Sequence, residues 1–171
     1  HLFVAPAPTP GDAAIDAEDA DANDAVRAES SAGRAGVADE IDLAPIRERL
    51  THRWAQVRAE RVAPLAPGAC WAMLPLASLG TTGAEGTVEV VVERAGRMGG
   101  LASWFETEFA DGSRLSSGPA AGRSVYGCGW LPLSSPVEVE PGDRIAIRLR
   151  ATHDGEDYVW AWDTTITPAS D

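Results

Sequence analysis

The sequence predicts a mainly β domain: an antiparallel β-barrel of sandwich-like build, with one amphipathic helical arm and an acidic flexible insertion. Three observations carry that expectation. From Thr87 onward apolar residues recur at every second position, Gly- and Pro-containing turn signals punctuate these runs, and no helix-length apolar period separates them. Short strands joined without crossover helices build barrels or sandwiches, and periodicity alone does not choose between the two.

Residues 1–10 carry the short apolar run Leu2-Phe3-Val4-Ala5-Pro6. Residues 11–40 are rich in Ala, Asp, Glu and Gly and supply -7 of the formal net charge of -12. With only Ile15, Val26 and Val37 as apolar anchors, this segment buries too little surface to offset the entropy of ordering it, and it is predicted to be a flexible acidic insertion. Residues 41–66 are predicted to be a helical arm. Within 42–61, Ile46, Leu50, Trp54 and Val57 follow one another at steps of four, four and three, Asp42 can cap the start, and Pro64 and Pro67 end the run.

Residues 67–171 form the predicted barrel body. Val88, Val90 and Val92 alternate with Glu89, Val91 and Glu93, and Gly96, Gly99 and Gly100 then precede a strand, as hairpin and bulge residues do. Asp111-Gly112 turns Leu101–Phe109 back into Arg114–Ser117. Pro141-Gly142-Asp143 leads into the alternation of Ile145, Ile147 and Leu149, and Asp154-Gly155 turns that strand into Tyr158, Trp160 and Trp162, expected on a core face or an interface. Trp104 and Trp162 are expected in the core.

Composition narrows the functional classes. All 14 basic residues are arginine, against 26 acidic ones, so a nucleic-acid surface is not expected. No unbroken apolar run has the roughly 18 to 20 residues of a membrane span, and the opening lacks the shape of a signal peptide, so a soluble, cytoplasmic protein is expected. Cys70 and Cys128 stand apart from each other and from any histidine cluster, and are predicted to be buried free thiols rather than zinc ligands. His1, His52 and His153 are scattered, no Gly-x-Ser-x-Gly elbow frames a serine, and Glu106 and Glu108 alternate with large apolar residues as a solvated strand face does. A strand running into a Gly-rich turn at a helix start, needed for a nucleotide-type cofactor, is not found. The sequence begins at His1, which leaves open a processed, truncated or excised piece of something longer.

Several motifs in series resemble the C-terminal barrel of the protein arginine N-methyltransferase family, in a divergent bacterial form. Gly100-Leu101-Ala102-Ser103-Trp104-Phe105-Glu106 is similar to the family's Gly-Phe-x-x-Trp-Phe-Asp segment, and Leu115-Ser116-Ser117-Gly118-Pro119 to its Leu-Ser-Thr-x-Pro segment. Trp130-Leu131-Pro132-Leu133 and the run from Pro136 to Asp143 follow in the family's order, and Leu2-Phe3-Val4-Ala5-Pro6 is similar to the strand with which the family's barrel begins, which makes residues 1–10 the first barrel strand.

The resemblance implies a non-catalytic barrel half of a S-adenosylmethionine-dependent methyltransferase, walling the substrate cleft and helping the enzyme dimerise. S-adenosylmethionine would be bound by an upstream methyltransferase domain and not by this chain. The implied partners are that domain, a second copy in a homodimer and a peptide or protein substrate. Ile46, Leu50, Trp54 and Val57 would be the dimerisation arm. Where the family carries a substrate-facing Thr-His-Trp loop, this chain has Ser124-Val125-Tyr126: valine cannot donate, accept or titrate, whereas Ser124 and Tyr126 keep a polar and an aromatic surface. From a different class, a stand-alone β-barrel binding or scaffold module is the alternative.

Overall fold

The computed structural model describes residues 1–10, 53–74, 83–121, 125–155 and 157–169. The chain is mainly β, and every strand pair is antiparallel. Along the chain run β1 (Leu2–Ala7), β2 (Ala55–Val57), β3 (Ala69–Ala72), β4 (Ala84–Val91) and β5 (Gly96–Glu108). They are followed by β6 (Arg114–Ser116), β7 (Cys128–Val139), β8 (Arg144–Asp154) and β9 (Asp157–Thr167). A larger sheet has the order β2-β7-β5-β1-β3, with β6 attached to β5; a smaller one has the order β4-β8-β9.

The expected antiparallel β architecture is borne out in its sandwich-like form. Among the described residues no hydrogen-bonded ladder joins the two sheets. They share a core instead, as the layers of a sandwich do. Val4, Met98, Leu101 and Leu131 of the larger sheet meet Val90, Ile145, Ile147 and Leu149 of the smaller one, all buried in one cluster. The alternation predicted for β4 and β8 holds: Glu85, Glu89, Arg144 and Arg148 face water from the opposite side. There Arg144 pairs with Glu89 at 2.8 Å and Arg148 with Glu85.

The turn residues act as their conformations require. Gly112, Gly142 and Gly155 all have positive φ (81°, 96° and 69°), in the hairpins joining β5 to β6, β7 to β8 and β8 to β9. The register of β5 against β7 shifts between Met98, opposite Val137, and Gly100, opposite Pro132, so the extra residues of this irregularity lie in β7 and Gly99 faces them from β5. Met98 and Leu101, three apart in β5 on either side of this irregularity, both enter the core between the sheets.

The second face of the larger sheet carries a smaller cluster of Ala7, Ala59, Val62, Ala102, Cys128 and Trp130, with Val57 and Trp104 packed against it. The segment after β2 contributes Ala59 and Val62 through a 3₁₀ turn at Ala59–Arg61. This corrects the helical reading over residues 53–66, the described end of the predicted arm. In the described part of 41–66, Trp54 lies outside regular structure and Ala55–Val57 is a strand paired with Cys128–Trp130 of β7. Trp54 and Val57 share one face only in a helix. Extended, they point to opposite sides, Val57 into the smaller cluster and Trp54 toward Trp160 of the other sheet. Ile46, Leu50 and the acidic segment 11–40 lie outside the described residues.

Trp104 and Trp162 are half-buried rather than enclosed, and Tyr158 is exposed. Trp162 packs against the main core and donates its indole N–H to Pro132 O at 2.9 Å. Cys128 is buried as expected, but Cys70 is exposed; both are free thiols. No helix among the described residues is long and apolar enough to cross a membrane.

The Pro141-Gly142-Asp143 turn is anchored by a carboxylate. Asp143, almost fully covered, accepts the backbone N–H groups of Glu140 and Ala169, each at 2.9 Å, and these bonds hold its carboxyl below the usual range. A depressed folded-state pKa contributes stability that is present above the ordinary aspartate range and is lost as pH falls through the folded value. Asp143→Asn is therefore expected to lower the melting temperature at neutral pH and to flatten its decline below about pH 4. Thermal melts across that range check this; parallel curves for parent and variant would show that the anchor contributes nothing.

Candidate functional site

Aromatic side chains gather at one edge of the sandwich, where β2 borders β7 and faces β9. Trp54, 49% exposed, lies 6.4 Å from Trp160 between ring centroids, and Trp160 lies 6.1 Å from Trp71, edge to face. Trp71 is buried, and its indole nitrogen has no hydrogen-bond partner. Beside them Tyr126, half exposed, sets its ring edge-on to Phe105 at 5.3 Å.

Local backbone chemistry fixes the Tyr126 loop on β2. Gln56 Nε2 donates to Tyr126 O, and Gly127, at φ 59°, leaves no room for a side chain because a Cβ would fall 2.4 Å from Val57 O. Of the residues predicted to matter, Trp54, Val57 and Tyr126 are thus brought together around β2. Ser124, like Ile46 and Leu50, lies outside the described residues.

A groove of about 330 Å³ opens on the other face of the larger sheet, at Trp104. Phe3 stacks on the indole at 5.9 Å and 11°. Gly68 and Gly118 admit it by having no side chains: a Cβ on either would fall 2.4 to 2.6 Å from indole atoms. Leu65, Pro64 and Pro119 supply apolar wall; Glu93 and Glu106 supply carboxylates. Glu106 Oε1 faces Trp104 Nε1 at 3.4 Å and Ser116 Oγ at 3.5 Å. Arg94 also lines the groove, with Nη2 donating to Pro64 O. Sequence reading treated Glu106 as a solvated strand residue. It is exposed, but the segments that make it a groove wall come from positions 64–68 and 116–120, remote in sequence.

The described residues offer little for chemistry. They contain no cluster of three metal-ligating side chains. The Cys128 thiol is pushed up to about 11 by burial and donates to Ser117 O, which makes it a poor nucleophile. The glycine cluster of Gly96, Gly99 and Gly100 does not fit S-adenosylmethionine, because it lies within β5 and not in a turn leading into a helix.

No protein-family model matches the chain. Over 54 residues, 32% of this chain and 15% of the relative, it is 43% identical to an arginine N(omega)-methyltransferase of Streptomyces achromogenes subsp. streptozoticus. The fold is similar to a chain of the Trypanosoma brucei PRMT1 enzyme-prozyme heterotetrameric complex with AdoHcy, with a TM-score of 0.61 and 9% identity. That likeness covers 97% of this chain and 56% of the other, so this chain spans little more than half of the solved one. The resemblance to protein arginine methyltransferases read from the sequence is supported in both a stretch of sequence and the fold.

Proposed function

We propose that this chain is the non-catalytic β half of a S-adenosylmethionine-dependent, protein arginine methyltransferase-like enzyme, in which it walls the substrate cleft and takes part in dimerisation. The supporting observation is that nearly the whole chain follows the fold of part of a PRMT1 chain. The remainder of such an enzyme would bind the cofactor and the reacting group. This half orients the substrate, and fixing reactants in place can supply a large part of a rate enhancement.

Tyr126 is the residue proposed to face the substrate. Its ring is exposed yet held against Phe105, its carbonyl is tied to Gln56, and Gly127 locks the following turn. A pre-positioned aromatic surface contributes contact area at small entropic cost. Trp54, exposed at the same edge, is the described member of the proposed dimerisation arm, and Ile46 and Leu50 precede it in the chain. The protein is proposed to work in the cytoplasm on a peptide or protein substrate.

The test is methyl transfer from labelled S-adenosylmethionine to a peptide by the longest reading frame containing this chain, with sedimentation reporting the dimer. Tyr126→Ala is expected to raise KM roughly tenfold with little change in melting temperature, the size of a lost aromatic contact. Unchanged KM and kcat would remove Tyr126 from the cleft, and a reading frame without a methyltransferase domain would leave a stand-alone binding module as the better account.

A further inference from the structure

The Trp104 groove combines three elements that the Tyr126 end does not use. It has an aromatic wall that is half-buried and locked in place, two carboxylates, and a half-open volume of about 330 Å³, near the lower limit of roughly 300 Å³ for small-ligand pockets. The face of an indole attracts a cation through its ring quadrupole, most strongly where water is partly excluded. Carboxylates beside it add the matching charge, and the chain's net charge of -12 draws cations toward it from a distance.

We propose that this groove binds a primary ammonium group, the side chain of a lysine in a partner peptide, held between the Trp104 indole and the Glu106 and Glu93 carboxylates. The presence of two separate carboxylates along one groove favours this cation. A guanidinium is a planar fork that engages both oxygens of one carboxylate, whereas an ammonium is a compact charge with three donors that separate carboxylates can share. Glu106 Oε1 already faces two donors, the indole N–H and the Ser116 hydroxyl, which leaves one oxygen of that carboxylate for a ligand. The guanidinium of Arg94 is turned onto Pro64 O and so is partly occupied within the groove wall. These 171 residues contain no lysine, so the ammonium comes from outside them.

The experiment is a ¹H–¹⁵N titration of the full chain with an acetylated, amidated pentapeptide, Gly-Gly-Lys-Gly-Gly, reading the indole N–H of Trp104. Two further peptides carry norleucine or arginine in place of lysine. The expected result is a saturable shift at millimolar lysine peptide, absent with norleucine, weaker with arginine, and reduced about fivefold in affinity by Glu106→Gln, the scale of a partly exposed charge contact. Glu106 is exposed, so its variant keeps the fold. The absence of a shift with lysine, an equal shift with norleucine, or tighter binding of arginine would each overturn the proposal. Methyl transfer is not read at any point, so this result stands or falls separately from the cleft assignment.

Discussion

Trp104→Ala is expected to lower the unfolding free energy by about 3 to 5 kcal/mol, the usual range for removing a large aromatic from a packed site. The half-exposed side chain argues for the lower end, and its fit argues against a smaller value. Phe3 stacks on it, Gly68 and Gly118 approach it more closely than any other residue type could, and neither glycine can relax inward to refill the space. Removal also strips an aromatic partner from Phe3 at the start of β1, the strand that pairs with both β5 and β3. A loss of that size is a large fraction of the 5 to 15 kcal/mol that holds a typical domain together. It corresponds to a fall in melting temperature on the order of 10 °C for a chain of this length. Trp104→Phe retains the stack and is expected to recover at least half of the loss. Calorimetry on the three proteins decides this. If Trp104→Ala melts with the parent, the indole is a surface ornament, and the second cluster does not depend on it.

What the sequence disclosed was what lies close together along the chain. The hairpins at Asp111-Gly112 and Asp154-Gly155 were legible because a tight turn needs positive φ, and the flanking residues alternate within ten positions of it. The faces of β4 and β8 were legible because a strand with one wet side must alternate. The helical reading of 42–61 failed at its described end for a reason of the same kind. Steps of four, four and three between apolar residues satisfy a helix, yet tertiary contacts can overrule such a pattern, and β7 and Trp160 here draw Val57 and Trp54 to opposite sides. β3 was missed because Ala69-Cys70-Trp71-Ala72 has small residues and no clear alternation, and its pairing partner β1 lies more than sixty positions away. The Trp104 groove was illegible for the same reason: glycines 68 and 118 matter only through an approach that exists after folding.

Deletion of Gly99 is expected to abolish the fold. Strand faces alternate with a period of two, so removing one residue from β5 turns every side chain on one side of the cut to the other face. Leu101 is pinned in register with Leu131 and Pro6, and Ala102 with Trp130 and Ala5, so the C-terminal part of β5 keeps its place. The slip then falls on Gly96–Met98. Met98, with no exposed surface, leaves the core between the sheets, and the charged Arg97 turns toward it. Vacating a buried methionine alone costs about 2 to 5 kcal/mol, and an unpaired buried guanidinium adds several more. The sum reaches the full stability of an ordinary domain. The alternative, keeping Met98 inward by moving the β4–β5 connection, breaks the bonds from Glu93 and Arg94 N–H to Leu65 O that tie this corner to the segment beneath it. Gly112 makes the control: it has positive φ but open space around it, so Gly112→Ala is expected to cost only the strain of a turn, about 1 kcal/mol. Circular dichroism and amide exchange distinguish the outcomes. A cooperative melt in the Gly99 deletion, with native-like protection of Met98, would show that the spacing of Met98 and Leu101 along β5 does not set the register of the core.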